Sequence, residues 1–545
     1  MKKAIIGLCA LGALSAPQAQ ADSALLPALT LVGGLLNVGV FPESDLYTTN
    51  DDIIITADDG TELAANVFVP NAGGLKPAVI FVNSWALNEY EYLTEAARFA
   101  EEGYVVLSYS TRGFGTSGGL VDTAGPLDMA DFSKVIDYLI ANYDVDPQRI
   151  GSAGISYGSG ISLLGAAHDP RIRAVAAMST WGSLRESLYG QETPRLVWGE
   201  LLTLSSQLTG NPDPIIAETW NDVLNRRNLD AVYAWTDERS PINFVDQINA
   251  NGTAVYISQN WGDNLFQVNN VLDLYMALDV PKHIDLQPGT HAGAEIGGLL
   301  GDGNTHVLNN LHRWFAEHLQ DDADAMEGQL PVNMKVKFTS GYQQYADYPV
   351  PGANSETLYL QPRTALTDGG LSDSPYQSWF SVDNNINSLV DTLAGTQIPL
   401  VSQILEQLDV PVTTSIPLIV RPNGITFIGK RQSETLAIRG KPELSLYVQP
   451  KNSTVQLVAY LYDMDALGIG KLITHAPVTV HDAVAGKKIR VNFPLVATAY
   501  DVPAGHKLVL AVDTQDLLYA KPDGLYAVDF EFTNAQQSTL TIPAL

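Results

Sequence analysis

The 545-residue chain is almost without cysteine, having Cys9 alone. One cysteine cannot close a disulfide within the chain, and it excludes thiolate clusters around zinc or iron. Cationic residues are scarce as well: 31 Lys and Arg stand against 60 Asp and Glu, a formal net charge of −29. A surface of that sign repels phosphate, so no nucleic acid partner is expected. Charge of either sign accounts for only 17% of residues, while 46% are hydrophobic, too apolar a balance for a disordered chain. Long apolar runs are missing past the first residues. The stretch 24–41 is apolar, but Pro27, Gly33, Gly34 and Asn37 break it. It is short of the about 20 unbroken residues that a spanning helix needs, so no stable membrane insertion is expected.

The N-terminus reads as an export signal over 1–21. Lys2 and Lys3 give the positive start, residues 4–14 an apolar run, and Ala19-Gln20-Ala21 a small-x-small cleavage site. The mature chain is expected to begin at Asp22, without Cys9, in the periplasm or outside the cell.

The length suits two or three domains. Between about 51 and 320, short Val/Ile-rich runs read as buried strands: 52–55, 78–82, 104–109, 149–153, 174–178, 254–258 and 283–286. Helical periodicity lies between them at 92–102, 129–143, 160–167 and 269–278. That alternation predicts an α/β domain over 22–325 with a largely parallel sheet. Over about 182–250 the strands stop, which predicts an inserted helical cap. From 330 to 545 the pattern changes to alternating segments bounded by Gly, Pro, Asn and Asp, such as 444–448, 456–462, 508–512 and 526–532. This predicts an all-β sandwich. Within it, 386–408 reads as a helical insertion.

Two G-x-S-x-G patterns occur. Gly154-Ile155-Ser156-Tyr157-Gly158 follows a predicted strand and precedes a helix, the setting of an exposed nucleophile elbow. Gly115-Thr116-Ser117-Gly118-Gly119 lies in a Gly-rich loop and is set aside. A serine nucleophile needs a base, and the base an orienting carboxylate, in the chain order Ser, Asp, His on loops after strands. Of nine histidines, His291 alone sits in a Gly-rich loop after a late strand; the others fall in helices, in a strand or in the sandwich. Asp263, after strand 254–258, is the acid. The oxyanion hole is assigned to the Tyr157 backbone N–H and to Trp85, through its backbone or its indole N–H. A purely pocket-lining Trp85 stays open.

Several stretches together resemble the cocaine esterase and X-Pro dipeptidyl-peptidase family of serine hydrolases. They are Tyr109-Ser110-Thr111-Arg112-Gly113-Phe114-Gly115-Thr116-Ser117-Gly118, the elbow, Arg239-Ser240-Pro241, Trp261-Gly262-Asp263, Gly289-Thr290-His291 and Pro503-Ala504-Gly505-His506-Lys507. The resemblance implies an α/β-hydrolase core with an inserted helical cap and a C-terminal jelly-roll (galactose-binding-like) domain. Its triad maps onto Ser156, Asp263 and His291. One departure stands out: where the family's esterases place a tyrosine hydroxyl in the oxyanion hole, this chain has Asn83-Ser84-Trp85. The expected activity is cleavage of a small ester or short peptide through an acyl-enzyme, without metal or cofactor. The esterase and acylase branch is favoured by size. A dipeptidyl-peptidase is the alternative and requires a carboxylate such as Glu89, Glu91, Glu186 or Glu192 to capture an N-terminal ammonium. A non-catalytic carbohydrate- or surface-binding protein on a hydrolase scaffold is a further alternative.

Overall fold

The computed structural model describes residues 39–300, 303–392, 394–395 and 399–545. The expected export signal and most of the segment 24–41 lie outside the described residues.

Ten strands form the first sheet: β1 (Tyr47–Thr56), β2 (Glu62–Pro70), β3 (Lys76–Val82), β4 (Val105–Tyr109), β5 (Val145–Ile155), β6 (Ile172–Met178), β7 (Ala254–Asn260), β8 (Lys282–Gln287), β9 (Val332–Lys335) and β10 (Tyr342–Tyr345). Their spatial order is β1-β2-β4-β3-β5-β6-β7-β8-β9-β10. The run from β4 to β9 is parallel. Antiparallel β1, β2 and β10 flank it.

Helices cover both faces, which is why β3 and β4 are buried along their whole length and apolar at nearly every position. The sequence runs through α1 (Leu93–Glu101), α2 (Pro126–Asn142), α3 (Tyr157–His168), α4 (Leu184–Tyr189), α5 (Leu196–Thr209), α6 (Pro214–Asn225), α7 (Leu229–Asp237), α8 (Val245–Asn251), α9 (Val268–Ala277), α10 (Gly293–Leu299) and α11 (His306–Leu319). Phe99 of α1 and Leu311 and Phe315 of α11 close one face. Phe132 of α2, Ile161 and Leu164 of α3, and Val271 of α9 close the other. Each such side chain contributes roughly 1.5–3 kcal/mol on burial.

Helices α4 to α7 form the cap between β6 and β7. Helix α6 starts at an Asp213 cap followed by Pro214, the pairing that favours a helix start. The cap is smaller than the expected 182–250. Helix α8 belongs to the hydrolase body instead, where Asn251 Nδ2 donates to the Ala166 and Ala167 carbonyls at the end of α3 (2.9 and 3.2 Å).

The second domain is all-β. Its strands pair antiparallel, apart from Gly369–Ser372 beside Ile425–Arg431. Leu446, Leu457, Phe530 and Leu540 are central to its core. Two boundaries differ from expectation. Val332 and Met334 of β9 are fully buried on the hydrolase sheet, so the domain change expected at 330 comes only after β10. The insertion is also shorter than 386–408. Ile386 is a buried strand residue in Val382–Asn387, and the helix is α12 (Pro399–Gln407). The two domains share core: Val496, Ala497 and Ala499 of the second pack into the hydrolase cluster. Asn269 of α9 donates to the Leu495 carbonyl (3.0 Å) and accepts from Ala497 N–H (2.7 Å).

Candidate active site

Strand β5 ends at Ile155, and the chain turns sharply at Ser156, whose φ of 56° is strained for a side-chain residue. Helix α3 begins at once with Tyr157. The motif glycines have steric reasons. A Cβ at Gly158 would sit 2.0 Å from the Val82 carbonyl oxygen, and one at Gly154 would sit 2.5 Å from the Gly158 backbone. The elbow therefore fits only if both positions lack a side chain, and it presses against the loop leaving β3.

Asp263 follows β7 and is completely buried. Its Oδ1 accepts the Leu265 and Phe266 N–H groups (2.9 and 2.8 Å), and its Oδ2 accepts from Gln259 Nε2 (3.1 Å). The same Oδ2 lies 2.8 Å from His291 Nδ1, and His291 Nε2 lies 2.7 Å from Ser156 Oγ. The carboxylate accepts only, so Nδ1 carries the proton and Nε2 accepts from the serine hydroxyl. The three residues expected from chain order thus form one hydrogen-bonded chain. Ser117 stands apart from it, its Oγ donating to the Ser110 carbonyl (2.8 Å) and accepting from Ala64 N–H (2.9 Å).

A buried polar shelf under the histidine loop carries no simple sequence signal. Ala292, left-handed at φ 59°, donates its N–H to Ser179 Oγ (3.1 Å). Asn260 Nδ2 reaches both Ser179 Oγ and Glu295 Oε2 (3.0 Å each), and Ser258 Oγ donates to Glu295 Oε1 (2.5 Å). Burial raises the Glu295 carboxyl above its ordinary pKa. Trp198 of α5 and Phe266 set their rings against the imidazole, at 5.5 and 5.0 Å between centroids.

For the oxyanion donors, Tyr157 N–H opens α3 and has no carbonyl four residues back to bind. The indole of Trp85, expected as a candidate oxyanion donor, is engaged instead: its Nε1 donates to the Leu202 carbonyl of the cap (3.0 Å), so only its backbone N–H is left for the elbow. Ser84 holds that loop in place, its N–H and Oγ both donating to the buried Glu91 carboxylate (2.6 Å each).

Above Ser156 opens a cleft of about 850 Å³, mouth included. Trp181, Leu188, Leu202, Trp220, Trp235 and Phe266 give its character, and no carboxylate is among its lining residues. None of the four carboxylates considered for ammonium capture lines the cleft. Glu91 holds Ser84, and Glu89 pairs with the Ser110 hydroxyl. Glu192 lies 3.5 Å from Arg226 and Glu186 3.7 Å from Arg185. Asp285 and His283 are bound to each other in β8 (3.1 Å). Among the described residues no group of three His, Cys, Asp or Glu is placed to hold a metal ion, and no helix is long and apolar enough to cross a membrane.

The parallel sheet, the strained serine elbow and the Ser–His–Asp chain define a serine hydrolase of the α/β type. Residues 59–293 match the X-Pro dipeptidyl-peptidase (S15 family) and residues 325–541 the X-Pro dipeptidyl-peptidase C-terminal non-catalytic domain. The chain belongs to the cocaine esterase and X-Pro dipeptidyl-peptidase (CocE/NonD-like) family of serine hydrolases. It is 21% identical over 406 residues to the cocaine esterase of Rhodococcus sp. (strain MB1 Bresler), covering 64% of this chain and 70% of that one. The chain spans only 35% and 56% of the length of two further curated relatives. In fold it is similar to an aminopeptidase from the marine sediment archaeon Thaumarchaeota archaeon, with a TM-score of 0.72 at 15% identity, over 93% of this chain and 98% of that one. It is equally similar to an α-amino acid ester hydrolase, with a TM-score of 0.72 at 17% identity and the same coverage.

Proposed function

We propose that this serine hydrolase is an exported esterase acting on esters with a largely apolar acyl group. Ser156 Oγ attacks the ester carbonyl while His291 Nε2 takes its proton, and Asp263 keeps the imidazole in the required tautomer and stabilises its cation. The developing oxyanion is met by the Tyr157 and Trp85 backbone N–H groups. The protonated His291 then gives its proton to the leaving alcohol. Water attacks the acyl-enzyme with His291 as base and frees Ser156.

One observation carries the esterase branch: the cleft over Ser156 is apolar and has no carboxylate to hold an N-terminal ammonium. Burying an unpaired ammonium against such walls costs several kcal/mol. Export is supported by the basic, apolar and small-x-small order of residues 1–21. Fractionation of expressing cells, with mass analysis of the N-terminus, tests it; retention of Met1 would refute it.

The activity is tested with para-nitrophenyl esters of graded acyl length, amino-acid esters and an Ala-Pro anilide. Turnover of the apolar esters is expected, with little of the anilide, and Ser156→Ala should lose at least about 10³-fold in kcat. Efficient Ala-Pro anilide cleavage would overturn the esterase reading. Labelling of Ser156→Ala by a fluorophosphonate as strongly as the parent would overturn the nucleophile.

A further inference from the structure

The cleft is largely apolar, but polar groups stand in its wall, among them the Arg185 guanidinium, 3.7 Å from Glu186, and several of the others are engaged. Thr203 Oγ1 donates to the Gly199 carbonyl (2.8 Å) and Thr236 Oγ1 to the Val232 carbonyl (3.0 Å), each within its own helix. The indoles of Trp181 and Trp220 donate to the Arg239 carbonyl (2.8 Å) and Glu200 Oε1 (3.0 Å). The Tyr157 hydroxyl donates to Asp128 Oδ2 (2.6 Å). Thr123 differs: its hydroxyl oxygen is buried with no hydrogen-bond partner among the described residues, and the residue lines the same cleft as Ser156.

The backbone at this point is costly to form. Thr123 and Ala124 are consecutive left-handed residues, with φ of 59° and 58°, a conformation that side-chain residues and above all β-branched ones avoid. The surroundings hold it in place. Ala124 N–H donates to Asp128 Oδ2 (2.8 Å) and lies 3.1 Å from the Tyr157 hydroxyl. On the other flank Arg239 donates to the Asp122 carbonyl and to Asp122 Oδ1, both at 3.2 Å. Asp122 Oδ2 in turn accepts the Leu127 N–H (2.8 Å). Strain fixed this firmly from both sides gathers at ligand-contacting positions. Here it leaves one buried hydroxyl without a partner in the wall of a largely apolar chamber.

We propose that Thr123 is a specificity-determining residue whose hydroxyl hydrogen-bonds a polar group, oxo or hydroxyl, carried partway along an otherwise apolar acyl chain. This rests on the esterase reading, with the acyl group in the cap cleft. The distance from the nucleophile follows from Tyr157. Its backbone adjoins Ser156 and its ring end meets Ala124, so Thr123 stands about one tyrosine side chain away from the reacting carbonyl. A plain hydrocarbon chain there leaves the Thr123 hydroxyl buried and unpaired, whereas a chain with an oxygen at the right carbon satisfies it. Sites built around such a group discriminate against the analogue that lacks it.

The test compares para-nitrophenyl hexanoate with its oxohexanoate isomers, the oxo group moving one carbon at a time. The native enzyme should favour one interior isomer over hexanoate by about tenfold in kcat/KM. Thr123→Val keeps the shape and removes the hydroxyl, and should bring that ratio to about one. Thr123→Ser should keep most of it. Melting temperatures show whether each variant is folded. Absence of a favoured isomer in the native enzyme, or an undiminished preference in Thr123→Val, would overturn the proposal. Hexanoate turnover that depends on Ser156 keeps the esterase reading standing in either case. If no ester is turned over, both fall.

Discussion

Asp128 lies under the elbow, fully buried, accepting from the Tyr157 hydroxyl and from Ala124 N–H. Burial first, then the charge of Asp122, pushes its pKa up to about 7. The unfolded value is about 4, so between about pH 4 and pH 7 the native state holds a proton that the unfolded chain has lost. Stability from this group is therefore greatest at acid pH and declines as pH rises through that window, by up to about 1.4 kcal/mol per pH unit. Asp285 has the opposite sign, because hydrogen bonds from His283 and His306 hold its pKa below the ordinary range. Its contribution is present at neutral pH and lost only in strong acid. Asp128→Asn keeps an oxygen for both donors and cannot ionise. It should melt above the parent at pH 8 and close to it at pH 5. An equal difference at the two pH values, measured by calorimetry, would show that Asp128 does not titrate in this range.

At the scale of elements, the insertion helix α12 has a position that no local pattern announces. Gln407 at its end accepts from Thr290 N–H (3.2 Å) and Thr290 Oγ1 (2.9 Å), one residue before His291. It lies so close to the loop that a Cβ at Gly293 would fall 1.8 Å from Gln407 Oε1. The second domain thus rests on the loop that aims the imidazole. Gln407→Ala should lower kcat about tenfold and leave KM within about twofold, since it loosens the base rather than the substrate cleft. An unchanged kcat would reduce the helix to a cover. This contact also shows where sequence reading ends. Ser156, Asp263 and His291 were legible because each sits where a strand ends and because their chain order is constrained. The strands from β3 to β8 were legible because they are buried on both faces. Strands β9 and β10 read as part of the sandwich, since four residues at a sheet edge carry too short an alternation. The engaged Trp85 indole, the Glu295 shelf and Gln407 on Thr290 depend on partners 35 or more residues away, and such contacts leave no periodic trace.

At the scale of the whole molecule, a single cysteine and a charge of −29 define how the chain holds together. No disulfide joins the domains; the shared cluster around Val496, Ala497 and Ala499 does, together with hydrogen bonds such as those of Asn269 and of Gln407 with Thr290. Against this, 60 acidic groups face 31 basic ones and repel one another in the compact state. Two effects of salt compete. Screening weakens exposed ion pairs such as Lys134–Asp58 and Lys430–Asp373, which contribute little to begin with. It also weakens the general repulsion, which acts over longer distances and among many more groups. Raising the ionic strength from about 0.01 M to about 0.15 M shortens the screening length from about 30 Å to about 8 Å. That removes most of the long-range term and leaves buried pairs such as Arg112–Asp131, at 2.7 Å, nearly untouched. The melting temperature should therefore rise with sodium chloride over this range and then level off. A fall over the same range would mean that local ion pairs outweigh the excess of acid.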